Sequence, residues 1–444
     1  MQHPGRGGGD EPPSQGRAFG ALRHRDFRLL WGGTIIAQVS NWMQQVAQSW
    51  LIYDLTGSAF LVGLNGLIRT IPFLMMSLYA GTVVDRVDRR RLLFWVAIID
   101  TGLTLGLAVL IASGWVHVWQ IYVFSILTSL NGAFQTPSQQ ALLPHLVPRR
   151  DLMTAVSLSS LVRRGTQVIG PALGGLSVAA FGVAATYFIN VVGLAVLVVS
   201  ISLIRTTNPV SERTADAPWR AVVDGLRYVW GDAVIGTLLL LEATFSIASS
   251  FNTILVVFAR DIFMVGPQGL GLLQGAPGLG TIVGSLILAA VGDVQHKGRL
   301  IILGGIGYGI LVAAFALSPW FPLALLLLAA SGAADIMMGT TRNTVLQLFS
   351  RGPMLGRVMS LHAMSTRGLG GLGGFQAGTL GALIGVPGAV AVGGLACVVA
   401  TLGVAWRVPE VRNLTGTGPS EGVSTHRTGE AAPERTAPST TGSA

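Results

Sequence analysis

The sequence predicts an all-α membrane protein in which twelve transmembrane helices form two pseudo-symmetric six-helix bundles. Three observations carry this expectation: the scarcity of charge, the placement of the charges present, and an internal repeat. Of 444 residues, 51% are hydrophobic and only 11% charged, where a soluble domain runs near 25% charged. So few charges cannot cover a water-exposed surface of this size. Apolar runs of about 20 residues, enough for a ~30 Å hydrocarbon core, recur from Leu29 to Trp406.

A net charge of +9 raises the question of nucleic acid, but the positions of the charges exclude it. Basic residues gather at Arg23, Arg25 and Arg28, at Arg86 to Arg91, at Arg149 and Arg150, from Arg205 to Arg227, at Lys297 and Arg299, at Arg351 and Arg357, and from Arg407. The alternate loops carry no Lys or Arg, and only Arg260 breaks the pattern. By the positive-inside rule both termini are cytoplasmic and the number of spans is even. The expected location is a bacterial-type inner (plasma) membrane.

The elements follow in order. Residues 1–20 are rich in Gly and Pro and are expected to be disordered; they hold no apolar core for a cleavable signal, so the first span serves as the insertion signal. Spans are predicted near 29–54, 59–82, 91–113, 117–140, 154–180 and 183–205, forming a first bundle over 21–205. A polar link over 206–232 contains Pro209 and Pro218, and its Trp219 to Trp230 stretch has the makings of an amphipathic surface helix. Spans near 233–258, 267–291, 299–318, 321–347, 357–384 and 388–406 form a second bundle over 233–407. Residues 408–444, rich in Ser, Thr, Gly and Pro, are expected to be a disordered tail. The single cysteine, Cys397, excludes an internal disulfide and a cysteine metal cluster.

The two halves are related. A shift of 203 superposes Ser157-Leu158 on Ser360-Leu361, Arg164-Gly165 on Arg367-Gly368, Gly170 on Gly373 and Gly175 on Gly378. A shift of 208 pairs Asp85 with Asp293, Arg91-Leu92 with Arg299-Leu300 and Gly63-Leu64 with Gly271-Leu272. Glycines alone could coincide by chance; arginines inside spans do so far less readily.

The loop between spans 2 and 3 reads Gly81-Thr-Val-Val-Asp85-Arg86-Val-Asp88-Arg89-Arg90-Arg91. This resembles the signature of the major facilitator superfamily, with Asp88 where the general pattern has Gly, as in its macrolide-efflux and enterobactin-exporter (transmembrane secretion effector) branch. Leu29-Leu-Trp31, the stretches Trp50 to Leu64 and Pro137 to Pro144, and Gly182 through Asn190 resemble the same branch. The resemblance implies the major facilitator fold: two bundles about an axis along the membrane normal, rocking around a central site. It assigns Gly81, Asp85, Arg86, Arg89, Arg90 and the degenerate mate Asp293 to a cytoplasmic gate, where Asp85 accepts from a helix N-terminus or an arginine of the other bundle. Loop arginines acting only as a topology signal are the plainer alternative. Gly170-Pro171-Ala-Leu-Gly174-Gly175 resembles the exporter bend motif; small-residue packing explains the same glycines.

Polar residues within spans face a cavity or a partner. Span 1 carries Gln38, Asn41, Gln45 and Gln48 at helical spacing, span 4 Asn131 and Gln135, span 7 Glu242 and Ser246, and span 10 Asp335 and Arg342. In the superfamily, spans 1, 4, 7 and 10 line the cavity, so Gln38, Asn41, Gln45, Asn131, Gln135, Ser246 and Arg342 are candidate substrate contacts. Glu242, Asp335 and Asp100 are the proton-coupling candidates, since a carboxyl in a low-dielectric cavity exchanges a proton as its surroundings alternate. Two structural readings stand beside this one: Asp335 held by Arg342, and Asp100 paired with Arg69. Arg163, Arg164 and Arg367 serve either a gate or anion site or simply snorkel to the interface.

No Gly-x4-Gly-Lys-Ser/Thr loop, nucleophile–base pair or metal-ligand spacing occurs. The chain is expected to be no enzyme and to need no cofactor or metal. The predicted function is secondary active export of a small amphipathic compound (drug, macrolide or siderophore-like), coupled to protons. A solute importer of the same fold, or a non-transporting receptor, is the alternative. The expected partners are a small-molecule substrate, protons and lipid, without nucleic acid, and the chain is expected to be a monomer.

Overall fold

The computed structural model describes residues 20–206, 227, 229, 231–292, 294–350, 352–412 and 414. Asp293 and the Trp219 to Trp230 stretch (save Arg227 and Val229) lie outside the described residues, as do the side chains of Asp85 and Arg367.

After a short 3-10 turn at Gly20–Arg23, the first half contains α1 (Arg25–Thr56), α2 (Ala59–Arg86), α3 (Arg89–Ala112), α4 (Val118–Gly132), α5 (Gln135–Leu146) and α6 (Leu152–Ser202). The second contains α7 (Ala233–Ala248), α8 (Gly266–Val291), α9 (Lys297–Leu317), α10 (Phe321–Phe349), α11 (Gly352–Gly368), α12 (Gly370–Ile384) and α13 (Val386–Arg407). Eight helical segments are long and apolar enough to cross a membrane. One of them runs over 54 residues and turns back at Gly182, whose φ of 83° is open to a residue without Cβ. It therefore supplies spans 5 and 6. The further helices of span length are α1, diluted by its amides, and two helices broken near their middles: α4–α5 at Ala133-Phe134 and α11–α12 at Leu369. Grouped this way, the described helices are consistent with the twelve passes expected from the sequence.

Local sequence explains the ends. Gly57 closes α1 in the left-handed conformation (φ 61°), and the Ser58 hydroxyl accepts from Leu61 N to start α2. Asp88 caps α3 by accepting from the amides of Arg90 and Arg91, and Asp232 caps α7 through Val234 and Ile235. Span 7 differs from expectation. It leaves the α conformation after Ala248 and continues as a 3-10 turn (Asn252–Ile254), an α turn (Leu255–Val257) and a π turn (Phe258–Ile262). The expected tail beginning at 408 also needs correction. Pro409–Arg412 is helical, Val411 and Leu414 are buried, and the Gly298 amide donates to Leu414 O, so the apolar side chains there dock on the start of α9.

The halves meet through glycines. Gly175 of α6 faces Gly271 of α8, so closely that a Cβ on either would lie 3.0 Å from the other's Cα. Gly63 of α2 faces Gly378 of α12, where a Cβ on Gly63 would lie 3.0 Å from Gly378 Cα. Gly63 and Gly271 are repeat mates, and so are Gly175 and Gly378. One contact therefore becomes the other on exchanging the halves, as a duplicated bundle pair requires.

Candidate functional site

Between the halves lies a cavity of about 470 Å³. Its first-half wall is polar, with Asn41, Gln44, Gln45 and Gln48 from α1, Arg69 and Thr70 from α2, Asp100 and Thr104 from α3, Ser125 and Ser129 from α4, and Gln135 from α5. Thr253, Gly370 and Gly371 reach it from the second half. A smaller cavity of about 150 Å³ adjoins it and adds Thr34, Gln38 and Trp42 to the shared Asn41, Gln45 and Gln135. The stripe on α1 thus lines a path along the membrane normal.

Hydrogen bonds hold part of this wall in place. Gln45 Nε2 donates to Asn41 Oδ1 at 3.3 Å, Gln48 Nε2 to Ser125 Oγ at 2.7 Å, and Ser125 Oγ to Asn65 Oδ1 at 3.0 Å. Asn131 takes a different part from the expected cavity contact. Its amide donates to Val96 O at 2.8 Å and ties α4 to α3, while Ser125 and Ser129 of the same helix face the cavity. Arg69 and Asp100 line the same cavity within Coulombic reach of each other, but no ion pair joins them among the described residues. The expected direct pair is replaced by two charges sharing one polar space.

In the second half, Arg342 of α10 forms an ion pair with Glu242 of α7. Both side chains are nearly inaccessible, at 5% and 7% exposure, so each charge depends on the other. His362 of α11 places Nδ1 4.0 Å from the same carboxylate. The sequence offered Asp335 as the partner of Arg342; the fold gives Arg342 to Glu242 and leaves Asp335, seven residues away on α10, exposed. Ser246 stands one turn beyond Glu242.

The gate motif is seen in part. Arg89 Nη1 contacts His145 Nε2 at 2.8 Å and donates to Ala141 O, while Arg90 donates to Ile201 O and Ser202 O at 3.2 and 2.7 Å. Arg90 thereby satisfies the last carbonyls of α6, which have no partner within their own helix. These two arginines bind the first half to itself; the side chain of Asp85 and all of Asp293 lie outside the description. In the bend motif, Gly170 and Gly174 pack on Trp42 and Met43 of α1, and Gly175 makes the contact with Gly271.

At the end opposite the arginine loops the structure adds a constellation that the sequence reading passed over. Arg260 Nη1 meets Asp54 Oδ1 at 2.8 Å, Tyr53 OH donates to Asp261 Oδ2, and the guanidinium lies 5.9 Å from the Trp50 ring and 5.7 Å from the Tyr53 ring. Asp54, Tyr53 and Trp50 belong to α1; Arg260 and Asp261 belong to the π turn of span 7. This latch crosses the halves, from α1 to span 7. Its signal was visible as the one arginine breaking the charge alternation.

Two helical halves joined by glycine contacts, with a polar path between them, define a membrane transporter of the major facilitator type. The chain belongs to the transmembrane secretion effector family, whose model matches residues 16–423. It is 26% identical over 400 residues to an enterobactin exporter of Salmonella choleraesuis, covering 89% of this chain and 95% of that one. It is 22% identical over 278 residues to macrolide efflux protein A of Streptococcus pyogenes, covering 62% and 69%. Among solved structures it resembles a bacterial homologue of the human lysosomal transporter Spinster in an inward-facing, unoccupied conformation. That match has a TM-score of 0.66 at 14% identity and covers 86% of this chain and 95% of that one. The protein is a multi-pass transporter of small molecules and no enzyme.

Proposed function

We propose that this chain is a secondary active exporter of a small amphipathic compound, siderophore-like or macrolide-like, working by alternating access as a monomer with both termini cytoplasmic. The amide-lined path between the halves, which the Arg260–Asp54 pair also joins, carries this reading. Rocking about the Gly175–Gly271 and Gly63–Gly378 contacts would open one end and close the other. The names of the relatives, an enterobactin exporter and a macrolide efflux protein, support export over import.

Protons drive the cycle in this reading, and Glu242 is the carrier of first choice. A proton on Glu242 removes the charge that holds Arg342, so the α7–α10 contact loosens when protonated and tightens when not. Asp335, exposed on the same helix as Arg342, and Asp100, beside Arg69, are the other acids in reach. The test is uptake of dyes, macrolides and siderophores into everted vesicles under an imposed pH gradient. Accumulation lost when the gradient is dissipated is expected; inserted protein that moves compounds only in the opposite sense would make it an importer.

A further inference from the structure

The path along α1 does not end at Gln38. It continues toward the arginine-rich end into a third cavity of about 340 Å³ between α1, α5 and α6, sharing Thr34, Gln38 and Trp42 with its neighbour. Phe27, Trp31 and Trp42 supply aromatic faces, and Gln38, Gln139, Gln140 and Gln167 supply amides. Gln139 and Gln140 come from the Pro137 to Pro144 stretch, which neither the cavity between the halves nor the latch uses.

Three features make this a built site. None of the four glutamines forms a hydrogen bond within the protein among the described residues. The Trp31 indole Nε1 is buried without an acceptor among the described residues, where a buried indole N–H ordinarily has one. Among the described residues no Asp or Glu lines the cavity and Arg163 is the charged one, which donates to Ser160 Oγ at 3.3 Å. Aromatic walls favour a flat ring, unspent N–H groups favour an acceptor, and the absence of carboxylates leaves an ammonium without a counter-charge.

We propose that this cavity is a substrate subsite on the transport path, selective for aromatic, acceptor-bearing compounds that are neutral or anionic and set against cationic amines. The proposal rests on the exporter reading only in treating α1 as the substrate's route. Its test is equilibrium binding, which needs no transport, so the two stand or fall separately.

The experiment uses the purified full chain in lipid nanodiscs and three probes followed by fluorine NMR line broadening: fluoronaphthoate, fluoronaphthamide and the (fluoronaphthyl)methylammonium ion. The acid and the amide are expected to bind, and the ammonium at least about tenfold more weakly, because no carboxylate among the described lining residues offers it a counter-charge. Trp31→Phe keeps the ring and removes the N–H, and should weaken amide binding about fivefold, the value of one neutral hydrogen bond. Gln140→Glu, almost isosteric, should reverse the order and favour the ammonium. Trp115→Phe, exposed and outside this cavity, should leave all three unchanged. Equal binding of the ammonium to the unaltered protein, failure of Gln140→Glu to change the order, or no binding of any probe to monodisperse protein would each overturn the proposal.

Discussion

Arg260 of the second half reaches Asp54 of the first at 2.8 Å and lies over the Trp50 and Tyr53 rings of the same helix. An arginine that looks misplaced by the charge rule is thereby explained: it neutralises an aspartate at the same membrane face and joins the halves there. Spin labels at Thr56→Cys and Met264→Cys, in a Cys397→Ala background, report the separation of this end. Arg260→Ala should move population toward longer distances by at most about fivefold, because the pair is partly exposed (39% and 53%) and such pairs contribute no more than about 1 kcal/mol. An unchanged distance distribution would remove the latch from the gating scheme.

The Glu242–Arg342 pair separates a coupling role from a folding role. Arg342→Gln strands a carboxylate at 7% exposure and should destabilise the folded protein by about 3–5 kcal/mol, read as a lowered melting temperature in detergent. Glu242→Gln together with Arg342→Gln should recover most of that loss, since neither charge is then left alone. Gradient-driven accumulation should be absent from Glu242→Gln and from the double variant alike. Full transport in Glu242→Gln would move the proton to Asp335 or Asp100.

Glycine contacts between the halves leave no room for a side chain. Gly175→Val and Gly271→Val should each destabilise the protein by about 1–3 kcal/mol, the usual cost of overpacking. By the internal symmetry, Gly63→Val and Gly378→Val should do the same. Gly81→Val, where nothing stands within 4 Å, is the control and should leave the melting temperature close to that of the parent.

At the arginine-rich end, ahead of the first span, Asp26 Oδ2 accepts from the Arg205 amide (3.1 Å), the Thr206 amide (3.0 Å) and the Thr206 hydroxyl (2.7 Å). Partial burial acts to raise its pKa, but these three donors and the Arg25 charge outweigh that, and the carboxyl sits below its ordinary value of 3.8. A group depressed on folding adds stability above its unfolded pKa and loses it as pH falls through the folded one. Melting temperature should therefore fall more on acidification in the parent than in Asp26→Asn, with the difference developing below about pH 5. Parallel profiles would show that this anchor contributes nothing.

Much of the architecture was legible because membrane residence leaves few choices. Backbone polar groups in lipid must be satisfied within each segment, so a run of apolar residues is a helix and its length is a span. The breaks were harder to see. Ala133-Phe134 and Leu369 interrupt helices without a proline, and the π turn at Phe258–Ile262 has no signal in hydropathy. The stripe on α1 was legible because amides at helical spacing in a hydrophobic helix need a polar place to face, and the cavities supply it. Asn131 obeyed the same logic but found a backbone carbonyl on α3.

The amino-acid sequence alone determined the class of protein, its all-helical build, and which helices carry polar faces. Each follows from local composition and spacing. Partnership was decided by tertiary structure: Arg342 with Glu242 and not Asp335, Arg260 with Asp54, Arg69 beside Asp100 without touching it. A charge in a low-dielectric interior takes the nearest opposite charge that the helix packing presents. Which one is nearest depends on the rotation and depth of two helices far apart in the chain, and no spacing along the sequence encodes that distance.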